Sequence, residues 1–301
     1  MSDVSRSFEE SLERILSIEA LLASAEHDEP LGPEVQRDLV GLGWAGVWLD
    51  ETGLELEERL ELAAVAGRRL LPAAIRGESL ILAPLLDGAR LDALLDGSLR
   101  GGGGVARGDS ALVALAPGAE LAGVLGDGWA AVIDVRDAEP VAGLEAGQGL
   151  ARVRVAADAR VPAPPRIAEH IELAVLAELY GAAQHALAIS VAYAAEREQF
   201  GRPIASFQAV SHTLARMAVD LEALDAGIGR LAARGEPRLA AVLRYAGPAA
   251  ARRVVEGAIQ VHGGMGFTWE LGLHLHYRRV LDLQAQLDGS AEEVGAMVLD
   301  G

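Results

Sequence analysis

Lysine, cysteine and asparagine are absent from the 301 residues, and aromatic side chains make up only 4% of them. Without lysine there is no Schiff-base nucleophile and no phosphate-loop lysine. Without cysteine there is no thiolate catalyst, disulfide, iron–sulfur cluster or thiolate zinc site. Without asparagine there is no N-glycosylation acceptor, so nothing points to secretion. All 26 basic residues are arginines, and 44 acidic residues outnumber them to give a formal charge of −18. That excess repels nucleic acid and anionic lipid, which both demand clustered basic side chains, so neither a nucleic acid nor a membrane is expected as a partner. Met1 to Glu10 contains acidic residues and no apolar core of signal-peptide length, which points to a cytoplasmic protein. The longest run free of formal charge, Leu179 to Ala195, is too short to cross a bilayer and reads as a soluble helix.

Apolar residues are plentiful, at 51%, enough to bury the core of one large domain or of two to three small ones. Over residues 1–99 they recur at helical spacing (Phe8, Leu12, Ile15; Val35, Leu39, Leu42; Leu56, Leu60, Ala63), which predicts a small helical domain. From residue 100 to 165 the composition shifts. Gly101 to Gly104 opens a glycine-rich stretch whose apolar runs are short, as in ALVAL (111–115) and ARVRV (151–155). The second alternates Arg152 and Arg154 with Val153 and Val155, which is strand periodicity. A compact, reduced β domain is expected here, with the Gly101 to Gly104 tract read as a flexible connection. Residues 166–301 return to long helical patterns, such as Leu173, Leu176, Tyr180, Ala183 and Leu187, and then Val210, Leu214, Met217, Leu221 and Leu224. The fold class expected is mostly α with a small β domain.

Two constellations in the last segment could carry chemistry. REQFGRPIASFQAV (197–210) puts a basic residue and a Gly-Arg-Pro turn between two helices, ahead of a Phe-Gln pair, a place suited either to an anionic group or to a plain interhelical loop. QVHGGMGF (260–267) has three glycines in four positions, so its backbone can approach a ligand closely or simply end a helix; no lysine follows it, so it is not a nucleotide loop. His274 and His276 are two apart, which on a helix aims them at different faces and argues against a metal pair.

REQFGRPIASFQAV followed by QVHGGMGFTWE, on a carboxy-terminal bundle after a β domain, resembles the acyl-CoA dehydrogenase family. VQRDLVGLGWAGVWLDE (35–51) is similar to that family's early helical segment. The resemblance implies an amino-terminal helical domain, a middle β domain and a carboxy-terminal four-helix domain, with FAD as cofactor and an acyl-CoA as substrate. It implies that Arg197, Gln199, Phe200, Gln208, Gln260, Gly263 and Gly264 contact the adenine and diphosphate part of an FAD whose ring lies mainly in the neighbouring subunit. A fixed guanidinium and free backbone amides suit a diphosphate.

Typical members also carry Thr-Glu-Pro and Trp-x-Thr segments that hold the flavin ring, and neither is found between Gly101 and Pro162. Many members place a catalytic glutamate soon after the glycine loop, where this chain reads Leu-Asp-Gly-Ser. Asp288 is therefore the candidate base, one methylene shorter and one position out of register. The alternative site on the first bundle helix falls on Ile171, with Glu172 beside it. Diphosphate contacts kept without ring contacts or base resemble the shortened subunits of heteromeric actinobacterial acyl-CoA dehydrogenases, several of which act on steroid side-chain thioesters. That resemblance implies an α2β2 heterotetramer with a second acyl-CoA dehydrogenase subunit, desaturation of a bulky acyl-CoA, and electron-transfer flavoprotein as acceptor. A self-sufficient homomeric enzyme and a flavin-free structural subunit stay open as alternatives.

Overall fold

The computed structural model describes residues 1–136, 138–145, 147 and 149–287. It divides into two compact units. The first joins Met1–Arg59 to Leu71–Glu172, and the second joins Leu60–Leu70 to the chain from Leu173 on.

In the first unit, helices α1 (Asp3–Ile15), α2 (Ile18–His27) and α3 (Pro33–Gly41) start where the sequence supplies caps. Ser2 and Ser17 accept the N–H groups of Ser5 and Ala20, and Pro33 sits at the first helical position. Their apolar faces bury Leu12, Leu39 and Trp44, whose ring meets Phe8 at 5.0 Å. Helix α4 (Leu56–Arg68) begins in this unit and ends in the other; α5 (Ala73–Gly77), a π-helical turn (Glu78–Leu82) and α6 (Gly88–Asp96) then lead to the sheet.

The sheet contains β1 (Gly101–Arg107), β2 (Ser110–Leu115), β3 (Leu121–Leu125), β4 (Trp129–Asp134), β5 (Glu139–Pro140), β6 (Leu150–Arg154) and β7 (Val161–Pro162), in the order β5-β6-β2-β1-β3-β4-β7. β1 and β3 run parallel and every other pair is antiparallel. As the alternation predicts, Val153 and Val155 join the sheet core with Ala111, Val113, Ala122 and Val124, while Arg152 and Arg154 face out.

The Gly101 to Gly104 tract is not a flexible connection; it forms the first half of the central strand. A Cβ on Gly77 would stand 2.4 Å from the Gly103 nitrogen, so helix α5 lies on this strand backbone to backbone. Buried Glu78 accepts the Gly101 N–H at 2.8 Å and the Arg100 guanidinium at 3.2 Å. Burial pushes the Glu78 carboxyl upward in pKa, and Arg100 and the Gly101 N–H partly offset it. The glycines serve close approach between helix and sheet.

The second unit is helical, with α7 (Ile167–Glu196) entering from the first. It contains α8 (Gln208–Arg234), α9 (Pro237–His262) and α10 (Leu273–Leu287), with the end of α4 packed among them. By length and composition α7 could cross a membrane, yet Leu173, Leu176, Leu179, Ala182, Ala183 and Ala186 are all fully buried. It is the core helix of this unit. Where α7 crosses α4, a Cβ on Gly181 would lie 1.8 Å from the Ala64 carbonyl oxygen and one on Gly67 would lie 1.9 Å from that of Glu178. Both glycines are there to let the backbones touch. α8 ends at Gly235 in the left-handed conformation, and Pro237 opens α9 two residues later. α9 continues through Pro248 to His262.

Candidate functional site

The two loops singled out by sequence leave the same unit, and local chemistry shapes each of them. At the end of α7 the Arg197 N–H still donates to the Tyr193 carbonyl at 2.8 Å, so the guanidinium departs from the last helical turn. A two-residue hairpin follows, formed by β8 (Glu198–Gln199) and β9 (Arg202–Pro203). Its tip, Phe200 and Gly201, has φ of 54° and 78°, the pair of left-handed residues that matches strand twist in a tight turn. Glycine adopts this freely, whereas phenylalanine holds it at a cost of about 1–3 kcal/mol. The Ile204 N–H closes the loop onto the Arg197 carbonyl at 2.8 Å. The Arg202 guanidinium lies 4.1 Å from the centre of the Phe207 ring, and that ring meets Phe200 edge-on at 6.1 Å. The strained tip is thereby braced against the start of α8, where Gln208 is the first residue. Phe200 is nonetheless 94% exposed.

The glycine loop begins where α9 stops. Gly263 has φ 59° and ψ −131°, a conformation that a residue with a Cβ avoids. Gly266 is packed so tightly on Ile259 that a Cβ would lie 2.3 Å from its carbonyl oxygen. Gly264 differs from both. Its φ is ordinary and an added Cβ would meet nothing within 4 Å, so this chain by itself makes no demand for glycine there.

The loops meet at their roots. The Tyr193 ring stacks on the His262 imidazole at 4.5 Å with 24° between planes, and its hydroxyl lies 3.9 Å from Met265 Sδ. His262, buried, donates from Nδ1 to the Ala258 carbonyl at 2.8 Å, which fixes its tautomer and the plane of the stack. Arg197, Gln199, Phe200, Gln208, Gln260, Gly263 and Gly264 all stand exposed. Gln199 is partly committed, since its Nε2 donates to the Glu198 carbonyl at 2.7 Å. The set holds one fixed cation, backbone amides, carboxamides and a bare aromatic face: donors for an oxyanion, and a surface for a flat ring.

The candidates for a base are placed differently. Asp288 lies outside the described residues. Glu172, half-buried, is the last residue of the first unit, whereas buried Ile171 beside it carries no titratable group. Directly before Ile171, His170 meets Trp48 at 5.5 Å, and burial, reinforced by the positive charge of Arg166, holds its pKa below the usual histidine value. His274 and His276 diverge as their spacing requires. The first stacks on Trp269 at 4.3 Å and the second on His185 at 4.5 Å.

Tyr193 and His262 were not among the residues that the sequence marked. The available signal was their position, one turn before Arg197 and directly before Gly263, at the two loop roots.

A family model described as acyl-CoA dehydrogenase, C-terminal domain, matches residues 169–294. The acyl-CoA dehydrogenase IpdE2 of Mycobacterium tuberculosis is 33% identical over 260 residues, an alignment covering 84% of this chain and 78% of that protein. Among solved structures, the Tcur3481-Tcur3483 steroid ACAD superposes with a TM-score of 0.74 at 22% identity, covering 99% of this chain and 98% of that one. The ChsE4-ChsE5 complex from Mycobacterium tuberculosis does so with a TM-score of 0.73 at 20% identity, covering 100% and 97%. With the fold matched end to end and a relative of this identity aligned along most of its length, the chain belongs to the acyl-CoA dehydrogenase family of oxidoreductases.

Proposed function

We propose that this chain is the supporting subunit of a heteromeric, FAD-dependent acyl-CoA dehydrogenase that introduces an α,β double bond into a bulky, steroid-type acyl-CoA. It works in the cytoplasm as an α2β2 heterotetramer with a second acyl-CoA dehydrogenase subunit, and electron-transfer flavoprotein is the acceptor. The observation that carries this reading is Gly264, a glycine that its own chain does not require, set in an open loop whose root is stacked against the root of the Arg197 hairpin. Glycine in open space with an ordinary φ leaves room for another molecule to come against the backbone.

The donor set fits the adenine and diphosphate half of FAD. Arg197 would neutralise the diphosphate charge, and the Gly263 and Gly264 amides would donate to its oxygens. Gln208 and Gln260 would pair with polar edges of the adenosine, while Phe200 offers its face to the adenine and Gln199 supports the hairpin. Bound there, FAD supplies the two-electron acceptor for the desaturation. This chain's residues hold one end of the cofactor, and the partner supplies the ring site and the base. The steroid ACAD and the two-component ChsE4-ChsE5 structure support the substrate class and the heteromeric assembly by likeness of fold.

Flavin absorbance tests the reading when measured on the chain alone and on the chain co-expressed with an acyl-CoA dehydrogenase subunit encoded beside it. The expected result is little flavin alone and a yellow, active complex together. Turnover by the chain alone, or colourless protein in both preparations, overturns it. Within the active complex, Asp288→Ala is expected to leave flavin bleaching by substrate within a few-fold of wild type. Removing a true general base slows that step by about 10² to 10⁴, so a loss of that size in an intact tetramer would move catalysis onto this chain.

A further inference from the structure

We propose that Tyr193 and His262 form a stacked clasp that sets the distance between the Arg197 guanidinium and the amides of the glycine loop, making both of them positioning residues for the diphosphate. The proposal rests on the FAD reading above and adds to it the device by which two separate loops act as one binding element. Arg197 and Gly263 directly follow different helices, α7 and α9, so their spacing depends on whatever joins the ends of those helices. Tyr193 is tied to Arg197 through its own carbonyl, which accepts the Arg197 N–H at 2.8 Å. His262 is the residue directly before Gly263, and its ring is immobilised by the bond from Nδ1 to the Ala258 carbonyl at 2.8 Å. The two rings lie face to face at 4.5 Å. The tyrosine hydroxyl reaches past the stack to Met265 Sδ, within the loop itself, at 3.9 Å.

Each ring is therefore fixed to one diphosphate-binding group by a single short link, and the rings are fixed to each other. A guanidinium and a row of amides share one diphosphate only if their separation matches it, because mispositioned donors leave charged oxygens poorly paired. Ring stacking suits this task, since it sets a distance while asking for no proton and no counter-ion. Tyr193 is only half-buried, as is fitting for a part whose outer edge borders the site.

The test is titration of the flavin-depleted co-expressed complex with ADP, which carries the adenine and diphosphate without the flavin, followed by measurement of FAD retained in the reconstituted complex after dilution. Variants enter if their helical circular dichroism and elution volume match wild type. Tyr193→Ala is expected to weaken ADP binding about five- to tenfold, and Tyr193→Phe, which keeps the stack, to restore most of it. Arg197→Ala is expected to weaken it by about ten- to a hundredfold. The decisive variant combines the two. If the clasp acts by placing the guanidinium, Tyr193→Ala costs little once Arg197 is gone.

A full additional loss in the double variant would make Tyr193 a general structural residue and overturn the proposal. The clasp fails equally if Tyr193→Ala binds ADP as wild type does while Arg197→Ala is impaired. His262→Ala is run in parallel, and loss of fold in both ring variants would also overturn the clasp. If wild type fails to bind ADP, or Arg197→Ala binds it unchanged, the FAD reading itself fails, which separates the two ideas.

Discussion

Acidification from pH 6.5 to 5 is expected to cost the protein about 3 kcal/mol through two histidines alone. His185 on α7 and His276 on α10 stack at 4.5 Å with their planes 10° apart. Burial, followed by the charges of Arg69 and Arg68, lowers His185 to about 4. Burial and the adjacent His185 lower His276 to about 3, although its Nε2 donates to the Arg68 carbonyl at 3.2 Å. In the unfolded chain both titrate near 6.5. The folded pKa lies below the unfolded one, so as pH falls the unfolded state takes up protons first. The stability these rings contribute is therefore complete above about pH 6.5, falls as pH drops toward 4 and 3, and is flat below. Each ring contributes a slope of up to about 1.4 kcal/mol per pH unit, which is large beside a total stability of about 5–15 kcal/mol. His185→Phe keeps a ring in the stack and removes one proton site, so urea unfolding at pH 7, 6 and 5 should show the slope reduced by about half. An unchanged slope in the variant would remove the pair as the cause.

These histidines also show which parts of the molecule were legible in sequence. The divergence of His276 from His274 followed from helical geometry, because two residues apart on a helix is about 200° around it. Their partners did not, since a ring contact between α7 and α10 leaves no mark on either local pattern. The same division runs through the fold. The bundle helices and the alternating strand at Arg152 to Val155 carry their periodicity in their own side chains. The tract that opens β1 carries none: four glycines show neither a period of two nor a β-branched preference, what makes them a strand is pairing with β2 and β3, and Gly77, more than twenty positions earlier, lies against Gly103. A glycine run required by close packing reads, one residue at a time, like a linker.

The site divides in the same way. Its placement was legible, because residue type and spacing put Arg197, Phe200 and the glycines at 263 and 264 in two loops between helices, where they stand exposed. Its architecture was not. The left-handed φ of Phe200, the Arg202 guanidinium over Phe207 and the Tyr193–His262 stack are tertiary facts, and each braces a residue that the sequence did mark.

Glu178→Ala is expected to destabilise the protein by about 3–5 kcal/mol, the effect of breaking a buried ion pair from one side. Arg279 on α10 is 1% exposed, and its Nη1 donates to Glu178 Oε1 on α7 at 2.5 Å inside the helical core. The pair lies beside the contact between Gly67 and the Glu178 carbonyl, so it stitches α10 to the same turn of α7 that bears on α4. That turn begins the stretch of α7 whose far end carries Tyr193 and Arg197. Taking both charges out of water consumes much of what their attraction returns, so the damage comes from breaking the pair rather than from doing without it. The double variant Glu178→Leu with Arg279→Met, two apolar chains of comparable bulk, should accordingly be more stable than either single change. Urea midpoints for wild type, both single variants and the double variant give the coupling directly. Additive losses would show that the two side chains contribute through packing alone. A recovered midpoint would show that the core needs the volume and tolerates loss of the charge, and the recovered protein should then retain ADP binding, because the clasp at the end of α7 would be held in place as before.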